Sequence, residues 1–423
     1  MPDRTRPPQI HDIATLALPE PRCLRLSNGM PAYVTSKGTQ EVIKLEVAFH
    51  AGRPFERKPL VARAATSLLR EGGARYSGAD VAEILDFYGG SLSLPFQMDT
   101  ANVVLYSLNK HLGALLPVLE DVLSCPRYPE EELQAFIRRN QQRLAVDLSK
   151  NDTVAYRQIT ELFFGERHPY GYNSTAAAYG ALQRQDLLAH HERLFRAGNA
   201  AVFISGKVAD SALAAIDEAL SRAVPPGEAA VPDVAAVETR PERVYFQQGE
   251  ASQSALRIGR KLFGKGHEDY ESFYVLNTVL GGYFGSRLME NIREEKGYTY
   301  NIYSMLDTMR YGGCFYVGTE VSQAYVPDTL EQIYLEMERL QEELIPEEEL
   351  QMVRNYLLGN FLTMVDGPFN ISEVVRTFVL EGQPLSKFGQ LVQAVKAVQP
   401  ESLRQLARKY FRKEDMWEVV VGA

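Results

Sequence analysis

The sequence predicts an α+β protein made of two homologous halves, and three observations carry that prediction. Helix-period and strand-period segments mix along the chain without a strict βαβ rhythm, as expected for helices packed on one face of a largely antiparallel sheet. Two markers repeat: Pro129-Glu130-Glu131-Glu132-Leu133 returns 217 positions later as Pro346-Glu347-Glu348-Glu349-Leu350, and the apolar run ending Phe203-Ile204-Ser205-Gly206 returns 216 positions later as Val420-Val421-Gly422. Two markers at nearly one offset indicate a duplicated unit, whereas either alone could be a common helix start or strand. Between the repeats lies Val224-Pro225-Pro226-Gly227-Glu228-Ala229-Ala230-Val231-Pro232-Asp233, which has neither helical nor strand periodicity and reads as a linker. The expected organisation is an N-terminal half over 1–222, a linker over 223–241 and a C-terminal half over 242–423.

The elements follow in order. In the first half, residues 42–49 alternate as a half-buried strand does. Residues 60–69 and 79–87 read as helices, 100–107 as a strand, 112–123 and 130–148 as helices, and 200–205 as a buried strand. The second half repeats this with strands at 254–258, 298–304, 313–319 and 417–421, and helices at 270–280, 286–296, 327–344 and 346–365.

Composition narrows the function. The chain has 423 residues, 45% hydrophobic, with a formal net charge of −9. That is enough apolar content for more than one core. A mildly acidic chain whose basic runs are no longer than pairs such as Arg138-Arg139 argues against nucleic acid or an anionic membrane as partner. Three scattered cysteines, Cys23, Cys125 and Cys314, fit a reducing compartment better than a disulfide framework. No apolar stretch is long enough to span a bilayer, and the first residues carry no apolar run of the secretory kind. The expected location is the cytoplasm.

The seven histidines are His11, His50, His111, His168, His190, His191 and His267. A helical zinc site needs two of them four apart on one face with a carboxylate nearby, and no pair has that spacing. His190 and His191 are adjacent, so a helix turns them roughly 100° apart; they read as surface residues. His168 lies in a His168-Pro169-Tyr170-Gly171 turn and reads as structural.

The second half holds a more pointed pattern in the segment 281–303. Gly281 and Gly282 permit a tight entry to a helix that Ser286 could cap, Leu288 and Ile292 form its apolar stripe, and Gly297 ends it. A strand is expected next, with Tyr298, Tyr300 and Ile302 on one face and Thr299, Asn301 and Tyr303 on the other. That arrangement brings Arg293, in the last helical turn, near Tyr300. Spacing alone leaves two readings open: an Arg at a helix C-terminus is favoured by the macrodipole and a strand Tyr by packing, or the pair serves a ligand.

The run Gly281-Gly282-Tyr283-Phe284-Gly285-Ser286-Arg287-Leu288, followed by an Arg seven residues before a Tyr, resembles the second-half signature of the insulinase/pitrilysin-like zinc peptidases. The likeness takes in residues 199–206, the turn at 168–171, Leu280-Gly281-Gly282 and the closing Val419-Val420-Val421-Gly422. It is nearest to the bacterial branch that is similar to mitochondrial processing peptidase. The resemblance implies two similar halves with related α+β domains, closing like a clam around a chamber for extended peptides. One half of such enzymes supplies zinc through His-x-x-Glu-His and a later Glu; the other supplies an Arg/Tyr pair, and the halves can be separate subunits.

At the metal this sequence departs from the pattern. The segment aligned with the zinc helix is Leu60-Val61-Ala62-Arg63-Ala64-Ala65-Thr66-Ser67, with Arg63 and Ser67 at the histidine positions and Thr66 at the glutamate. Residues 138–145 have no carboxylate for the third ligand. A guanidinium repels Zn²⁺ and hydroxyls do not replace imidazole. Three expectations follow from the resemblance. This chain carries no cofactor, zinc belonging to a homologous partner subunit with which it forms a dimer. Arg293 and Tyr300 act in trans, on the substrate carbonyl and its developing oxyanion. The competing expectation is a structural or assembly subunit of the same fold, with no proteolytic role.

Overall fold

The computed structural model describes residues 13, 15–234, 237–248 and 252–422; His11 lies outside them. Among the described residues, eleven strands form two sheets. The first contains β1 (Arg22–Arg25), β2 (Pro31–Ser36), β3 (Val42–Phe49), β4 (Ser91–Ser93), β5 (Ala101–Leu108) and β6 (Ala200–Gly206), in the order β1-β2-β6-β3-β5-β4. The second contains β7 (Arg243–Phe246), β8 (Gln253–Leu262), β9 (Ile302–Met309), β10 (Gly312–Ser322) and β11 (Trp417–Val421), in the order β7-β11-β8-β10-β9.

The duplication is written in this topology. Each sheet has one parallel pair, β2 with β6 and β7 with β11. The antiparallel ladder β6-β3-β5-β4 then matches β11-β8-β10-β9 strand for strand. The first sheet has one strand more, β1, laid antiparallel on the outer edge of β2.

Helices α1 (Val61–Ser67), α2 (Gly78–Tyr88), α3 (Leu112–Ser124), α4 (Glu130–Leu148), α5 (Asn151–Phe164), α6 (Ala176–Gly180), α7 (Arg184–Leu194) and α8 (Asp210–Ala223) belong to the first half. The second half has α9 (Tyr270–Gly281), α10 (Val326–Glu342), α11 (Glu347–Met364), α12 (Gly367–Leu380), α13 (Ser386–Ala397) and α14 (Pro400–Tyr410). The repeated Pro-Glu-Glu-Glu motif starts α4 and α11 identically: Pro129 and Pro346 are their N-caps with φ −56° in both. Three glutamates then occupy each first turn, where the helix dipole favours negative charge.

The expectation of helices on one sheet face is corrected, because both faces are covered and the second cover is exchanged. Helix α5 leaves the first half and packs on β8 and β11 of the second sheet, joining Ala155, Ile159, Phe163 and Phe164 to Ala255, Tyr316, Trp417, Val419 and Val421. Helix α12 returns the contact, packing Ile371 and Val375 on Ala48, Ala201 and Phe203 of the first sheet. Each half therefore completes the other. Buried charges mark both crossings: Glu46 on β3 lies beside Arg376 of α12 at 3.5 Å, and Arg257 on β8 pairs with Asp152 of α5.

The stretch between α8 and β7 has no helix or strand among its described residues, yet it is tied down along its length. The Pro225 and Gly227 carbonyls accept from Ala197 and Gly198, and the Asp233 amide donates to Pro54. Thr239 Oγ1 donates to the Phe163 carbonyl.

Candidate functional site

The expected helix over 286–296 is a short helical lead at Arg287–Leu288 running into a π-helical segment, Met289–Glu295. Its wider winding shows in the backbone: Lys296 N–H donates to the Asn291 carbonyl, five residues back. Buried side chains hold it there. Asn291 Nδ2 donates to Glu336 Oε1 at 2.6 Å, and Arg287 grips Glu349 with two bonds of 2.8 and 2.9 Å. Single π turns inside helices recur at functional sites. Ser286 is not the expected cap, since its buried Oγ has no hydrogen-bond partner. Gly297 does terminate the helix in the left-handed region, at φ 66°.

The expected strand over 298–304 is also corrected: β9 begins at Ile302, and Tyr298–Asn301 form an irregular bend. Side chains pin that bend. The Tyr298 hydroxyl donates to Asp328 at 2.7 Å, which raises the phenol and holds the carboxyl low, and the ring stacks on Tyr325. Thr299 Oγ1 lies 2.8 Å from the Glu320 carbonyl.

The two predicted residues nevertheless meet. The Arg293 guanidinium lies 4.8 Å from the Tyr300 ring centroid, and 4.7 Å from that of Phe284 on the other arm of the turn. Phe284 is a site residue that spacing did not reveal; its signal was an aromatic in the glycine-rich turn. Tyr300 is 86% exposed and Phe284 60%. Among the described residues no acceptor takes a hydrogen bond from the Arg293 guanidinium, and the Tyr300 hydroxyl has no partner. A cation placed between two rings keeps its in-plane donors free, so the cluster offers unspent hydrogen-bond donors to an external carbonyl or carboxylate.

The segment expected to align with the zinc helix is a packed piece of core. Arg63 Nη1 donates to Tyr179 Oη at 3.2 Å, and Thr66, fully buried, turns its hydroxyl back on the Ala62 carbonyl at 2.7 Å. Ser67 is half-buried. These donors do not fit a divalent cation, and no group of three His, Cys, Asp or Glu among the described residues could hold a metal ion. Just before α1, Glu56 accepts from the Ala62 amide at 2.8 Å and from Tyr172 Oη at 2.7 Å; burial pushes its carboxyl up to about 7.

His190 and His191 are not surface residues. His190 Nε2 lies 3.0 Å from the Ala51 carbonyl and His191 Nε2 lies 2.8 Å from that of Leu123. Desolvation lowers both to about 4. His168 is buried, stacked on Phe164, and its Nδ1 accepts from the Tyr170 amide.

Comparison with known proteins shows what this chain is similar to. Residues 181–357 match the family described as Peptidase M16 inactive domain. That match marks residues 181–357 as similar to the insulinase-like (M16) peptidases. It is 22% identical over 349 residues to the uncharacterized zinc protease YmxG of Bacillus subtilis, covering 81% of this chain and 84% of that protein. It is 25% identical over 268 residues to the non-peptidase homolog YmxG of Helicobacter pylori, covering 61% of each. The M16 inactive-domain structure from Pseudomonas fluorescens superimposes with a TM-score of 0.88 at 21% identity, over 95% of this chain and 98% of that one. The periplasmic protease PqqL of Escherichia coli superimposes with a TM-score of 0.80 at 14% identity, over 98% of this chain but 46% of PqqL. This chain thus spans about half the length of that protease. No helix among its described residues is long and apolar enough to cross a membrane.

Proposed function

We propose that this chain is the non-catalytic, substrate-positioning subunit of a heterodimeric zinc endopeptidase. It supplies Arg293 and Tyr300 in trans to a homologous subunit that carries the metal. The observation that supports this reading is the Arg293 cluster itself, a guanidinium held between two exposed rings with every donor unspent. Arg293 binds a carbonyl of an extended peptide with its fork of donors, and Tyr300 donates to the oxyanion that forms during attack by the partner's water. The cytoplasm is the proposed location, in keeping with three free cysteines, two of them exposed. In the reconstituted pair, Arg293→Ala and Tyr300→Phe should each lower kcat by about 10²–10³, the usual cost of one oxyanion donor, while this chain stays folded and bound. Wild-type rates in both variants would defeat the proposal.

A structural or assembly subunit is the second reading, favoured by the similarity to a non-peptidase homolog. It predicts a complex that forms normally and is indifferent to both substitutions.

A further inference from the structure

The internal repeat exposes a difference between the halves. In the first sheet β1 covers the outer edge of β2, and α8 packs beside α3. In the second sheet β7 takes the place of β2 and α10 the place of α3, each helix following its hairpin strand through one 3₁₀ turn. Among the described residues no strand pairs with the outer edge of β7. Among the described residues, β7 and α10 border a cavity of about 1040 Å³.

The edge is chemically open. The Glu242 and Phe246 carbonyls accept from Glu418 and Gly422 of the β11 segment. Strand alternation therefore turns the N–H and C=O of Arg243 and Tyr245 outward. Tyr245 is 62% exposed, its hydroxyl fixed on the buried Glu418 at 2.7 Å. An unpaired edge of this kind is a template for another strand.

Charge selects the occupant. Glu331, Glu338 and Glu342 of α10 line the cavity, and none of them makes a salt bridge among the described residues. The cavity's cations are already engaged. Arg412 binds Asp415 at 2.7 Å, Arg408 donates to the Gln341 carbonyl at 2.8 Å, and Lys413 sits over the Tyr334 ring. Arg243 lies 3.8 Å from Glu418. The first half shows the same choice, for β1 reads Arg-Cys-Leu-Arg.

We infer that the outer edge of β7 is a docking site for an extended, basic segment of a partner protein, added antiparallel as β1 is added to β2. Backbone hydrogen bonds supply the pairing and the α10 carboxylates supply the selection. The site lies across the sheet from β9, the strand that follows Tyr300, and does not depend on the Arg293 cluster.

Fluorescence anisotropy of the full chain tests this with a labelled strand-length peptide alternating Arg and Val, its Glu-Val counterpart, and an Arg-Val peptide N-methylated at alternate residues. The basic peptide should bind saturably and weaken with salt, and the other two should not bind. Arg243→Pro, which removes an outward amide at an edge position that tolerates proline, should raise Kd at least about tenfold, as should the pair Glu331→Lys and Glu338→Lys. If Arg243→Pro does not fold, the N-methylated peptide decides the backbone requirement. Absence of binding, equal binding of the acidic peptide, or indifference to the lost amide overturns the inference. So does self-association in sedimentation that Arg243→Pro abolishes, since a second copy would then own the edge.

Discussion

Replacing Phe163 with alanine removes the ring that α5 carries from the first half onto the second sheet. Phe163 is fully buried and meets Trp417 of β11 edge to face, with centroids 5.5 Å apart and planes at 86°. Truncating a buried phenylalanine costs about 3–5 kcal/mol, and the edge-to-face pair, worth about 0.5–1.5 kcal/mol beyond its area, puts this site at the upper end. Leucine keeps most of the volume and should cost about 1.5 kcal/mol or less. Trp417 is the single tryptophan of the chain, so its fluorescence reports on this crossing. Urea unfolding followed by tryptophan fluorescence and far-UV circular dichroism should show both signals shifting together in Phe163→Ala, because the exchanged helices couple the two sheets. A fluorescence shift worth less than about 1 kcal/mol, or a circular dichroism transition left in place, would refute the reasoning.

Two further outcomes complete those given above. Asp152→Ala leaves the buried Arg257 without its half-exposed ionic partner and should cost about 1–3 kcal/mol, whereas Arg257→Met should be close to neutral; chemical denaturation of the two variants checks the contrast. Glu56 titrates upward on folding, from 4.5 to about 7, through burial, so the folded state binds its proton more tightly than the unfolded chain does. Its contribution is present below about pH 4.5 and is lost as pH rises through about 7, while the depressed histidines His50, His190 and His191 act oppositely, losing stability as pH falls from 6.5 toward 4. Glu56→Gln should therefore flatten the decline in Tm between pH 4.5 and 7 and leave the acid limb intact, as read by thermal melts across pH.

Sequence pattern was a good guide where one face meets the core and local rules agree. The helix Glu130–Leu148 and the strand Trp417–Val421 stand where periodicity put them. It failed where side chains overrule the ladder. The bend at 298–301 looks strand-like, but Tyr298 and Thr299 spend their polar groups on Asp328 and Glu320, and pairing starts only at Ile302. The π winding at 289–295 escapes a 3.6-residue pattern, because Leu288 and Ile292 keep a four-residue spacing in either helix. The histidine pair was misread because its acceptors, the Ala51 and Leu123 carbonyls, are backbone groups from distant segments. Arg293 and Tyr300 were legible as a pair, but Phe284 was not, since nothing in spacing alone sends a turn aromatic back over a guanidinium.

The exchanged helices also impose an order on biosynthesis. Residues are made in sequence, and the first sheet keeps Ala48, Ala201 and Phe203 uncovered until α12, ending at Leu380, has left the ribosome. Every residue through Leu380 must emerge before the first sheet is sealed, and a fragment cut between α8 and β7 would present that bare surface to aggregation.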